Sequence, residues 1–151
     1  MSTITICGSI AFLPEMKNIQ SQLEKLNHTV YIPEIKLKDE SGSPVTLEEF
    51  YVLRNLDENK NDSNSWIWDR KNDAILEHFN KIKNSDSILV LNYKKNKIEN
   101  YIGANTFLEM GIALHLNKQI YLLNNIPNQS NKEELLGLKP ILINNNLKLI
   151  K

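Results

Sequence analysis

One carboxylate stands out from its neighbours. Glu109 lies in Thr106-Phe107-Leu108-Glu109-Met110-Gly111-Ile112-Ala113, a stretch that is otherwise almost wholly apolar. A charged group among apolar side chains needs a reason to be there. Two reasons fit. A carboxylate one turn into a helix, just past a loop with small residues at Gly103 and Ala104, can serve as a nucleophile or an acid-base group. Equally, Thr106-x-x-Glu109 has the spacing of a capping box, in which the threonine caps the helix and the glutamate bonds back to its N–H. Thr46 to Glu49 and Ser130 to Glu133 repeat that spacing. Spacing therefore leaves the cap and the catalytic group both open.

Other residues could join such a group. Cys7-Gly8-Ser9 ends an apolar run, and a Gly-Ser turn before a helix offers N–H groups and a hydroxyl to an anion. It has one glycine where the dinucleotide fingerprint needs three. Cys7, the single cysteine, is expected to be a buried, inert thiol. Asp86 opens an apolar run and either faces the crevice or ends the preceding helix. His78, eight residues earlier, is either a partly buried helix histidine or a proton carrier. His28, His78 and His115 show no paired spacing, so no metal site is expected, and no motif calls for a cofactor. Lys94, Lys95 and Lys97 could attract a phosphate, with a solvated-loop role expected for at least two of them. Tyr51, Trp66, Trp68 and Tyr101 could stack on a heterocyclic base, although most such aromatics belong to cores.

These residues must be held by elements that the hydrophobic pattern outlines. Strands are expected at 3–7, 29–32, 86–91 and 119–123, with a last one at 140–143 or 147–150. Residues 86–91 are nearly all apolar, as in a strand covered on both faces. Helices are expected over 11–27, 46–57, 65–83, 105–117 and 130–136, the first with Pro14 in its opening turn. Residues 34–45 read as a polar loop, 58–64 as a polar break and 92–104 as a long loop. This order implies a doubly wound, mostly parallel α/β sheet of about five strands with helices on both faces. Its ligands would bind outside the carboxyl ends of the strands. That directs attention to Cys7–Ile10, Pro33 onwards, and Asn92–Glu109.

Composition narrows the classes. The chain has 151 residues, 41% of them hydrophobic, which suits one domain over residues 1–151. Lys plus Arg and Asp plus Glu are each 18, so the net charge is zero and a nucleic-acid polymer is not an expected partner. A lone cysteine fits a reducing compartment. No apolar run reaches the ~20 residues of a membrane span, and residues 1–4 do not resemble the start of a signal peptide. A soluble, cytoplasmic protein is expected.

With these segments in view, the chain resembles the nucleoside 2-deoxyribosyltransferase-like family, which includes 2'-deoxynucleoside 5'-monophosphate N-glycosidases. The matching pieces are Ile6–Ile10, His78–Asn92, Tyr101–Ala113 and Asn117–Tyr121, in order and at matching spacing. The resemblance implies a flavodoxin-like sheet, a nucleoside or nucleotide ligand, and a nucleophilic glutamate at Glu109. It implies that the enzyme cleaves or exchanges an N-glycosidic bond, with an acidic partner to protonate the leaving base. On the same footing Gly8, Ser9 and Ile10 border the sugar or phosphate, while Asn92, Tyr101, Gly103, Asn105 and Thr106 line the pocket. Asp86 falls within the matched segments. His78 stands where many transferases carry an aspartate, and it would donate a proton or hold the base. The family usually pairs, which implies a homo-oligomer, a dimer or higher. Residues 34–65 match nothing in it. Two other readings share the fold: a nucleotide-sensing module without turnover, and a structural domain in which Glu109 is only a cap.

Overall fold

The computed structural model describes residues 1–34 and 36–151; Ile35, inside the expected polar loop, lies outside the described residues. Two compact units emerge, one made of residues 1–33 and 79–151 and the other of 34–78.

The first unit is a five-stranded sheet. Its strands are β1 (Thr3–Gly8), β2 (Thr29–Tyr31), β3 (Ser87–Leu91), β4 (Gln119–Leu122) and β5 (Ile141–Leu142), in the order β2-β1-β3-β4-β5. All pairings are parallel. Every β3 residue is buried, which explains its unbroken apolar run. Successive side chains point to opposite faces, so each strand feeds two cores. Ile4, Ile6, Leu89, Leu91 and Tyr121 pack with Met16, Ile19 and Leu23 of helix α1 (Leu13–Lys25). Cys7, Ile88, Val90, Ile120 and Leu122 pack on the other face with Met110 and Ala113 of α5 (Ala104–His115) and Leu135 of α6 (Lys132–Gly137). Of the two candidates for the last strand, the first is correct. Residues 147–149 form a 3-10 turn that contributes buried Leu147 to the α1 face, with buried Ile150 just beyond it.

The second unit is small and helical. Its helix α2 (Leu47–Asn55) has a complete capping box: Thr46 Oγ1 accepts from Glu49 N–H at 3.2 Å, and Glu49 accepts from Thr46 N–H at 2.7 Å. The expected polar break contains a one-turn helix, α3 (Asp57–Lys60). Helix α4 (Trp66–Lys83) follows. Within this unit Phe50 meets Trp66 edge-on at 6.4 Å, and the Trp68 indole N–H donates to the Asp62 carbonyl at 2.8 Å. Ile67, not Trp68, is the fully buried residue at the start of α4. Asp39, Glu40 and Glu58 line an acidic cleft floored by Leu53 and Trp66.

Candidate active site

The winding reverses at β1. The chain moves from β1 to β2 on one side and then returns to β3 on the other. Such a reversal opens a crevice between the carboxyl ends of β1 and β3, here at Gly8 and Leu91. Gly8 is required at this edge by proximity. A Cβ there would lie 2.9 Å from the Leu91 carbonyl oxygen and 3.1 Å from Met16 Cε.

Glu109 reaches the crevice from α5. The helix begins at Ala104, with Gly103 at its N-cap and no side-chain cap. Thr106 is therefore its third residue and not its cap, which corrects the capping-box alternative. Ser130–Glu133 also fails as a box, because Asn131 precedes α6 and makes no side-chain cap. Thr106, Glu109, Met110 and Ala113 form the buried stripe of α5, at steps of three and four. Glu109 is thus turned into the protein, at 5% exposure.

Asn105 and Cys7 hold its carboxylate. Asn105, one turn earlier and exposed, places its Nδ2 3.4 Å from Glu109 Oε1. Cys7, on the β1 face that packs against α5, donates its thiol hydrogen to the carboxylate. Burial, followed by the nearby Glu109 charge and this hydrogen bond, pushes the Cys7 thiol well above its ordinary value. The thiol stays protonated, so Cys7 is no nucleophile. It is nonetheless a site residue, and the signal for it was its position immediately before Gly8-Ser9.

The remaining expected residues separate into groups. Ser9 caps the 3-10 turn at Ile10–Phe12 and accepts from Lys95 Nζ at 2.7 Å. Ile10 is half-buried in that turn, and Gly103 packs against the Tyr101 ring, 3.2 Å from its hydroxyl to a built Cβ. Asn92 is fully buried at the end of β3, and it braces the edge more than it lines a pocket. Its Nδ2 points at the Asn125, Asn124 and Asn100 carbonyls at 2.9, 3.3 and 3.4 Å, and its Oδ1 accepts from Asn124 N–H at 2.9 Å. With every polar atom of the amide so engaged, the expectation of a ligand contact is corrected to a structural one.

Asp86 does not belong to this site. Its carboxylate accepts from Thr3 N–H at 2.8 Å, level with the start of β1. Ile4 pairs with Ser87 and Gly8 with Leu91, so Asp86 sits at the amino edge of the sheet. At ~3.3 Å per residue it is ~16 Å from the carboxyl edge. His78 is buried on α4 and is the last residue of the second unit. Cys7 and Glu109, both of metal-ligand type, belong to the first unit, and His78, of the same type, to the second.

Comparison with known proteins supports the fold. No protein-family model matches the sequence, and no curated protein matches it. Among solved structures, a 2-deoxyribosyltransferase from the psychrotolerant bacterium Bacillus psychrosaccharolyticus is similar. The similarity covers 80% of this chain and 71% of that one, at 18% identity and a TM-score of 0.50. The chain therefore has a nucleoside 2-deoxyribosyltransferase-like fold. No helix is long and apolar enough to cross a membrane among the described residues.

Proposed function

We propose that the chain is a nucleoside-processing enzyme that cleaves or exchanges the N-glycosidic bond of a (deoxy)nucleoside or its 5'-monophosphate. Glu109 is the nucleophile. The observation that carries this reading is a carboxylate buried at the carboxyl edge of a parallel sheet, on a helix that does not use it as a cap. The fold shared with a 2-deoxyribosyltransferase supports it.

The chemistry runs in two displacements. A Glu109 oxygen attacks the anomeric carbon as the bond from that carbon to the base nitrogen breaks. The electron pair leaves with the base, which takes up a proton, and the sugar becomes an ester of Glu109. Water, or the N–H of a second base, then attacks the same carbon, releases the carboxylate and returns its proton to the group that supplied one in the first step. Cys7 and Asn105 fix the carboxylate for the attack, and each can donate to it as charge returns in the second step. His78, which by the resemblance stands where many transferases carry an aspartate, donates the proton that the leaving base takes up, or holds the base.

The test is release of free base from deoxynucleosides and their 5'-monophosphates, with and without a second base, by wild type and E109Q. Turnover in wild type that is lost in E109Q supports the reading. A protein that binds nucleotide but releases no base is a sensing module, and the enzymatic reading fails.

A further inference from the structure

Helix α5 carries Glu109, yet its N-terminus has no side-chain cap. The residues just before Ala104 fix where it starts. Tyr101 N–H donates to the Tyr93 carbonyl at 2.9 Å, which ties the entry to the chain leaving β3. The Gly103 carbonyl accepts from Phe107 N–H at 2.9 Å and opens the helical ladder. Between them, Ile102 is held by the side chain of Gln129. Ile102 N–H donates to Gln129 Oε1 at 2.9 Å, and Gln129 Nε2 donates to the Ile102 carbonyl at 3.0 Å.

The amide thus meets both polar groups of one residue, as a residue on a neighbouring strand does. Ile102 is 2% exposed, so its backbone groups cannot turn to solvent instead. Its side chain packs in the same core cluster as Phe107. Ile102 directly precedes the N-cap and Phe107 is the fourth helical residue, the two positions of a hydrophobic staple, which sets the angle of entry. Gln129 is itself anchored, in the segment between β4 and α6. Its carbonyl accepts from Lys132 N–H at 3.1 Å, and nearby Ile126 packs against that same cluster.

Glu109 follows closely. It lies five residues past Ala104, ~7.5 Å along the axis at ~1.5 Å per residue. A movement of the entry therefore reaches the carboxylate little diminished. That carboxylate takes the thiol hydrogen of Cys7 from β1, on the sheet face that α5 covers. We propose that Gln129 is a positioning residue for Glu109. By clamping Ile102 it sets the seat of α5 on the sheet, and with it the Cys7–Glu109 contact and the line of attack on the anomeric carbon. Only the attack rests on the proposed function; the clamp and the thiol contact can be tested without it.

Two readouts separate positioning from a merely structural role. Cys7 is the single cysteine, so the infrared S–H stretching band belongs to it alone and reports the strength of its bond to Glu109. Turnover reports the attack. Wild type, Q129L and Q129E would be compared with Q20A, which removes a glutamine that donates to the Val30 carbonyl at 3.2 Å from α1, on the opposite face of the sheet. Q129L deletes both bonds to Ile102. Q129E keeps the acceptor and loses the donor, and it serves if Q129L does not fold, as melting temperatures would reveal. In Q129L the band should move to higher frequency, toward that of a free thiol. Its kcat for base release should fall about 10- to 100-fold with KM within about twofold, the size of an ~1 Å misplacement. Q129E should move the band in the same direction, and Q20A should leave both readouts in place. A band unmoved in the folded Gln129 variants would overturn the positioning role. So would a fall in kcat no larger than that of Q20A, in a wild type that turns over. A moved band in a protein whose wild type releases no base would retain the clamp on Glu109 and sink the catalytic reading. Base release lost in E109Q but untouched in Q129L, with the band unmoved, would do the reverse.

Discussion

Cys7 ties the stability of the sheet to pH. Its thiol is held well above its ordinary value, first by burial and then by the Glu109 charge and the hydrogen bond to it. In the unfolded chain it titrates near ~8.5. Above that pH the unfolded state has lost a proton that the native state keeps, so the native state binds more protons and stability falls as pH rises. The contribution is complete below the unfolded value and is lost as pH climbs toward the native one. The slope is about 1.4 kcal/mol per pH unit between the two values. Above pH ~8.5 the wild type should lose stability from this thiol as pH rises, by at most about 1.4 kcal/mol per pH unit. C7A removes the titrating group and should lack this component. At neutral pH the same variant should be less stable by about 2–3 kcal/mol, for a hydrogen bond to a buried carboxylate and a small void. Urea unfolding at pH 7 to 10, with both proteins side by side, measures both quantities. Parallel pH profiles for wild type and C7A would refute the argument. So would alkylation of Cys7 in the native protein at the rate of a free thiol.

Three further outcomes follow from the geometry. G8A sets a Cβ 2.9 Å from the Leu91 carbonyl, which cannot retreat without parting β1 from β3; it should cost about 1–3 kcal/mol in urea unfolding, as overpacking does. T46A should cost about 1 kcal/mol, because Thr46 caps α2 in a complete box, and calorimetric unfolding should register the loss. D86N should leave base release within twofold of wild type, since Asp86 lies exposed at the far edge of the sheet; a large loss of turnover would place it in the site after all.

Much of the first unit was legible in the sequence because its signals are local. β3 is apolar throughout, and the helix stripes recur at three and four residues, so the strands fell within one or two residues of their observed ends. The location of Glu109 at the carboxyl edge followed from strand order. Its freedom from a capping role did not, since that turns on where α5 begins. Thr106 as N-cap and Ala104 as first residue differ by one turn, and Thr-x-x-Glu matches the former equally well. Asp86 is a different case. A residue that opens a strand of a parallel sheet lies at the amino edge, so the same rule that pointed to Glu109 excludes it. The Cys7–Glu109 bond and the reach of Lys95 to Ser9 join residues far apart in the chain. No spacing pattern encodes either. Within residues 34–78 both long helices were legible, but the polar segments at 34–45 and 58–64 were not, because they carry no apolar period and the one-turn helix α3 has only four residues.

The most direct test of Glu109 as nucleophile is the covalent adduct itself. Wild type would be mixed with a deoxynucleotide that it turns over, quenched in acid within milliseconds to seconds, digested and mapped by mass spectrometry. A deoxyribosyl phosphate, or a deoxyribosyl group from a nucleoside, carried on the peptide containing Glu109 and absent from E109Q is the predicted result. Turnover that persists in E109Q, or an adduct mapped to any other residue, would contradict the account.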